Sequence, residues 1–284
     1  MISKKRLIFL SLLLLVATLS CSKDPVTGKS SYNWYSLETD NKLGQQVIDE
    51  QLAALRKEKK PIDREADPKM YGNVKQIADN IAKVSHIPQF RWEFHMADVD
   101  VVNAWAAPGG KIMVYTGLYD SKEGLVDKSN PDEMAAVLAH EIGHATARHV
   151  TESLSRNYTV IMAGQVALSA VSASGASAGV QNLFHNVFVG GVNVYIPAYS
   201  RSAESEADRI GLFYMAAAGY NPQAARDLWY RACQKRGDQT SIFASHPSSC
   251  QRAKDLDKYL PAATKLYQEV QAGHAIKIPP KIPS

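Results

Sequence analysis

The sequence predicts an α+β fold, predominantly helical, in which a small β-sheet lies beside one central helix. Most of the chain carries apolar side chains every three or four positions, the period of an amphipathic helix. Only the region from residue 90 to 115 switches to a period of two. That region comes immediately before the most clearly punctuated helical segment, which opens at Asn130-Pro131.

The elements follow in order. Leu37 to Lys59 reads as a helix, with Glu38 and Asp40 early and Arg56, Lys57 and Lys59 late, the polarity that suits the helix dipole; Pro61 ends it. Asp67-Pro68 opens a second helix with Tyr71, Val74, Ile77, Ala78, Ile81 and Val84 on one stripe. Phe90, Trp92, Phe94 and Met96 alternate with polar residues as a half-buried strand. A second extended stretch runs from Val99 to Ala106, Pro108-Gly109-Gly110 turns the chain, and Lys111 to Tyr115 is a third strand. The next helix starts with Asn130 as N-cap and Glu133 placed to close a capping box, and its Ala, Met, Val and Leu residues carry it past His149. Arg201 to Ala218 is helical and stops at Gly219; Asn221-Pro222 starts another helix through Trp229. Ser248 to Leu260 is the last strong helix, before a proline-containing tail. Between Arg156 and Arg201 there is no charged residue, which fits packed helices with a mobile loop over the site, or a membrane hairpin of weak hydropathy.

The amino terminus reads as an export signal. Lys4, Lys5 and Arg6 precede the apolar run Leu7 to Leu19, short for a membrane span and right for a signal segment. Thr18-Leu19-Ser20-Cys21 fits a lipoprotein cleavage site, with Thr where Leu is more usual; an uncleaved anchor or plain secretion is the alternative. An acylated Cys21 would tether the chain to a membrane, and Ser22 in place of Asp favours the outer membrane by analogy with lipoprotein sorting. The expected location is therefore the periplasmic side of a cell envelope. Without the three basic residues of the signal, the formal charge of +4 becomes 29 basic against 28 acidic groups. Such a balance excludes a strongly basic nucleic-acid surface. Cys233 and Cys250 fit a disulfide in an exported chain, or two buried thiols.

The chemistry centres on His140-Glu141-Ile142-Gly143-His144, an HExxH motif inside the central helix. Residues four apart share one helix face, so both imidazoles can hold one Zn²⁺, with Glu141 beside them as the base that activates the attacking water. A catalytic zinc wants a third protein ligand and an open position. On a continuous helix His149 would face the opposite side from His140, and the longer HExxHxxGxxH pattern fails at Ala147 and Val150, so His149 reads as structural. In Ser202-Ala203-Glu204-Ser205-Glu206-Ala207-Asp208, Glu204 and Asp208 share a face while Glu206 points elsewhere. Glu204 is a candidate third ligand, and Asp208 a candidate hydrogen-bond acceptor for a ligating histidine.

These paired motifs resemble the HExxH/ExxxD gluzincin family of CAAX prenyl proteases, HtpX-type proteases and periplasmic beta-barrel-assembly-enhancing proteases. Asp24-Pro25-Val26-Thr27-Gly28 is similar to its exported lipoprotein members, and Asn103-Ala104-Trp105-Ala106-Ala107-Pro108-Gly109-Gly110 to its NAF…PGG hairpin, with Trp for Phe. Ser245-His246-Pro247 followed by Arg252 resembles its late HP…R element. The resemblance implies a zincin-like fold with one zinc on His140, His144 and Glu204, and Glu141 as base. It also implies His246 and Arg252 as oxyanion stabilisers, although in some relatives that histidine fills the fourth zinc position. The strand Asn103, Ala104, Trp105 and Ala106, or its hairpin mate, would bind an extended substrate as an added strand.

The expectation is thus a zinc endopeptidase acting on unfolded or misassembled envelope proteins. It would have a signal at 1–20, a lipidated linker at 21–36, the peptidase domain at 37–262 and a tail at 263–284. A chaperone-like binder or assembly factor is the rival; an intact Glu141 argues against it.

Overall fold

The computed structural model describes residues 21–159, 199–236, 246 and 250–283. The uncharged stretch is largely outside these residues. The chain forms two compact units. In the first, strand β1 (Cys21–Lys23) pairs antiparallel with β2 (Ser30–Tyr32), so that Cys21 faces Tyr32 across the ladder. Residues 151–159 are helical. Asn33 Nδ2 donates to Thr151 Oγ1 at 2.9 Å, and Trp34 N to Ser155 Oγ at 2.9 Å. The hairpin lies in the stretch read above as a linker.

The second unit holds the remaining elements. Helix α1 (Leu37–Lys57) starts where Ser36 Oγ accepts from Thr39 N. Helix α2 (Pro68–Val84) starts where the Asp67 carboxylate accepts from Lys69 N and Met70 N. The sheet has the order β3-β5-β4. Strand β3 (Glu93–Ala97) runs parallel to β5 (Lys111–Tyr115), and β4 (Ala104–Ala107) runs antiparallel to it. Strand β4 is therefore an edge strand, and all its residues are buried. It is shorter than the Val99–Ala106 stretch expected. Gly109, with φ of 67°, supplies the left-handed step of the turn into β5.

Helix α3 (Pro131–Ala147) passes through the core, buried at every position from Glu133 onward. Asn130 Oδ1 caps it by accepting from Asp132 N at 3.1 Å. The expected capping box does not form: the Glu133 carboxylate accepts from Asp127 N at 2.8 Å and pairs with Arg231 at 2.7 Å. Nor does the helix continue past His149. Arg148 is left-handed, with φ of 62°, and it is held there by a buried pair with Asp40 at 2.6 Å.

Helix α4 (Arg201–Ala217) is capped by Ser200 Oγ, and α5 (Gln223–Arg236) follows it. Helix α6 (Cys250–Gln271) runs well beyond the expected end near Leu260, with Pro261 inside it. The proline costs one hydrogen bond, but buried Ala263 and half-buried Leu266 and Tyr267 keep packing on the core and carry the helix on. A disulfide joins Cys233 on α5 to Cys250 on α6, with their Cα atoms 5.1 Å apart. Among the described residues no helix is long and apolar enough to cross a membrane.

Candidate metal centre

His140 and His144 lie one turn apart on α3 and are 1% and 0% exposed. Their Nε2 atoms stand 3.1 Å apart. Glu204, in the first turn of α4, places Oε1 at 3.4 Å from His144 Nε2 and Oε2 at 3.5 Å from His140 Nε2. The two helices can converge this tightly because glycines line their contact. A Cβ on Gly143 would lie 2.8 Å from the carbonyl oxygen of Ala207, and one on Gly211 2.9 Å from the backbone of Ala139. His246 completes the group: its Nδ1 is 3.3 Å from His140 Nε2 and 2.8 Å from Glu204 Oε1. The ligand atoms of His140, His144, Glu204 and His246 all lie within 4.8 Å of one another.

The donor set fits zinc on two grounds. Ligands at ~2.0–2.1 Å around a tetrahedral Zn²⁺ stand roughly 3.3–3.4 Å from each other, and the separations of 3.1 to 3.5 Å among His140, His144 and Glu204 bracket that value. Charge points the same way. Glu141, Glu204 and Asp208 are buried carboxylates facing one buried guanidinium, Arg252. Their formal excess of negative charge calls for a divalent cation.

Burial pushes the Glu204 carboxyl up, but Arg252 and His246 outweigh it and hold the group well below the usual carboxylate range. Burial also presses His144 well below the ordinary imidazole range, which favours the neutral, metal-ligating form. For His246 burial works downward, yet Glu141 and then Glu204 push it up to about 10.

Asp208 Oδ1 lies 2.9 Å from His140 Nδ1, the ring nitrogen turned away from the cluster. Arg252, expected to stabilise an oxyanion, is bonded to acidic groups of the site. Its Nε and Nη2 reach Asp208 at 2.6 and 2.7 Å, its Nη1 reaches Glu204 at 2.5 Å, and its guanidinium lies over Trp229. A buried guanidinium needs carboxylate partners, and Arg252 has two, Asp208 and Glu204. Glu141 is fully buried next to the cluster. Neither carboxylate oxygen has a hydrogen-bond partner among the described residues, and His246 Nε2 is 3.2 Å from Oε1.

His149 is not carried to the far side of α3 as expected, because the helix ends before it. The left-handed step at Arg148 brings His149 Nδ1 to 2.9 Å from His144 Nδ1, and its Nε2 lies 3.4 Å from Glu206 Oε2. His149 remains outside the ligand cluster. Tyr199 was not anticipated at all. Its ring stacks on His144 at 3.8 Å between centroids, and its hydroxyl donates to the carbonyl of Ala106 at 3.3 Å. The only sequence signal for it is its place one residue before the α4 cap. Asn103 and the β4 residues Ala104, Trp105 and Ala106 are buried on the sheet edge, and Trp105 Nε1 donates to Tyr115 Oη at 3.3 Å.

Residues 68–260, more than half of the chain, match peptidase family M48. The chain belongs to that family. It is 31% identical over 242 residues to the mitochondrial metalloendopeptidase OMA1 of Schizosaccharomyces pombe, covering 84% of this chain and 66% of that protein. It is 34% identical over 195 residues to the protein of the same name from Arabidopsis thaliana, covering 68% and 37%. The beta-barrel assembly-enhancing protease of Yersinia pestis is 25% identical over 187 residues, covering 64% and 35%. The chain thus spans from about a third to two thirds of these relatives. Within M48, the matched region with its His/His/Glu/His cluster is a zinc metallopeptidase domain.

One expectation is corrected by these relatives. The periplasmic, outer-membrane, lipid-anchored location read from the first residues is overturned, because the chain matches mitochondrial endopeptidases of yeast and plant. A basic start, an apolar run and a cysteine form a compositional pattern and not a fold. Residues 1–20 lie outside the described residues, and Cys21 is the first residue of β1.

Proposed function

We propose that this protein is an endopeptidase that cleaves unfolded or misassembled protein chains, a quality-control activity, with one zinc held by His140, His144 and Glu204. The observation that carries the reading is Glu141: a buried carboxylate beside the ligand cluster with no hydrogen-bond partner among the described residues. A buried carboxylate that faces His246 Nε2 at 3.2 Å without a hydrogen bond is costly to keep unless a reactant uses it. Zinc bound here polarises a peptide carbonyl and acidifies a water molecule.

The chain's own residues do the rest. Glu141 takes the proton of the attacking water and passes it to the leaving amine. Asp208, with Oδ1 2.9 Å from His140 Nδ1, favours a proton on that nitrogen and so the tautomer that ligates through Nε2. Arg252 holds Asp208 and Glu204 in place. The edge strand β4, with Asn103 leading into it, is where an extended substrate would add as a further strand, in exchange for the Tyr199 hydroxyl on the Ala106 carbonyl. A folded protein has no free strand to add there, which supports a preference for unfolded chains. A relative named as an assembly-enhancing protease supports the same reading.

The test is digestion of unfolded casein by wild type and by Glu141→Gln, with a chelator control. Loss of the general base lowers the rate by about 10²–10⁴-fold while zinc content stays at one per chain. Equal digestion by the two proteins, or digestion untouched by the chelator, overturns the proposal. Binding of casein without cleavage by wild type would mark a chaperone-like binder instead.

A further inference from the structure

The two zinc-site histidines are backed differently, and the second arrangement involves a residue pair with no role in the chemistry above. His140 Nδ1 meets a carboxylate, Asp208, at 2.9 Å. His144 Nδ1 meets another imidazole, His149 Nδ1, at 2.9 Å, and the far nitrogen of that ring, Nε2, lies 3.4 Å from Glu206 Oε2. We propose that His149 and Glu206 are positioning residues for the zinc ligand His144, acting as a two-step relay that fixes its tautomer. The proposal rests on the zinc reading of His140, His144 and Glu204.

The proton count permits one arrangement. A histidine that ligates through Nε2 carries its hydrogen on Nδ1 and must donate it. His144 Nε2 faces His140 and Glu204, so its Nδ1–H points at His149. His149 Nδ1 must then accept, which puts its own hydrogen on Nε2. That nitrogen faces the Glu206 carboxylate, which can only accept. All three groups agree on a single direction of donation. His149 is 5% exposed, so solvent is no ready substitute acceptor. Glu206 is itself steadied by Arg209 at 3.3 Å.

The fold is arranged to allow this contact. Had α3 continued, His149 would have turned away from His144. The left-handed Arg148, pinned by Asp40, folds the chain back so that residue 149 lies against residue 144. Glu206 sits two residues beyond Glu204 on α4, so one helix turn supplies both a ligand and the support of a ligand from the other helix.

The experiment measures zinc affinity of the full chain by competition with a chromophoric chelator, the visible spectrum of the Co²⁺-substituted protein, and the melting temperature of the metal-free protein. His149→Ala should weaken zinc binding by about 10–100-fold and shift the Co²⁺ bands, with little change in the metal-free melting temperature. His149→Asn, whose side-chain oxygen can accept near the old Nδ1 position, should restore most of the affinity. Glu206→Gln should weaken binding less than His149→Ala. Unchanged affinity and spectrum in His149→Ala overturn the relay. So does an affinity loss that Asn fails to rescue. If His149→Ala does not fold, wild-type affinity in Glu206→Gln together with no better binding by His149→Asn than by His149→Leu has the same force. A wild type without stoichiometric zinc would instead overturn the metal reading itself.

Discussion

Three of the four clustered groups come from α3 and α4, whose backbones touch at Gly143 and Gly211, whereas the fourth, His246, comes from the connection between α5 and α6. On the first flank the ligand positions are fixed by backbone contact across a close helix crossing, where a single methyl group has no room. On the second, the helices on either side of His246 are tied by the Cys233–Cys250 disulfide, 17 residues apart in sequence. The difference teaches that holding a metal and occupying its last position are separate tasks. In the proposed reading the helix pair does the first, with His140, His144 and Glu204 as ligands. His246, 3.2 Å from Glu141 Oε1 as well as close to Glu204, bears on the second.

This contrast can be broken in several ways, from the strongest effect downward. His144→Ala should remove zinc altogether, from one per chain to near none by elemental analysis, and abolish casein digestion; retention of stoichiometric zinc would end the claim that the helix pair holds the metal. Cys250→Ser opens a loop of about the length for which the cross-link contributes about 3 kcal/mol of stability. Denaturant titration should show a loss of that order with zinc content unchanged. Parallel loss of zinc would mean that the two flanks are not separable. Gly211→Ala pushes a Cβ to 2.9 Å from the Ala139 backbone, and overpacking of this kind costs about 1–3 kcal/mol. Because the strain falls next to His140, zinc affinity should drop with it. His246→Ala should leave zinc at one per chain and raise the rate of casein digestion, since a group competing for the last position is gone. A large fall in rate would assign it to the oxyanion instead.

The helix-borne half of the site was legible for a geometric reason. Spacings of four on a helix are local, so His140 with His144, and Glu204 with Asp208, announce themselves before any tertiary contact is known. What escaped depends on distant partners. Arg148 adopts a glycine-like conformation without being glycine, and its reason, Asp40, is 108 residues away. The end of α3 was therefore misplaced, and His149 with it. Tyr199 reaches His144 and Ala106 by stacking and a hydroxyl contact, neither of which leaves a pattern in sequence. Pro261 suggested a stop, but the packing of Leu266 and Tyr267 overrode it. The strand Lys111–Tyr115 was read as it stands, and the strand expected from Phe90 to Met96 pairs only from Glu93 to Ala97, while the sheet order, with β5 in the middle, is set by pairing between strands and not by any one of them.

The glycine-lined crossing of α3 and α4 has a consequence for how this protein can vary. A methyl added at Gly143 lands on the Ala207 backbone, and one added at Gly211 lands on Ala139 and His140. No side chain on the facing helix can shrink to make room, because the obstacle is the main chain. The segments around residues 140 and 207 therefore cannot drift independently, although some sixty positions separate them. They have to be exchanged, grafted or redesigned together, as one part.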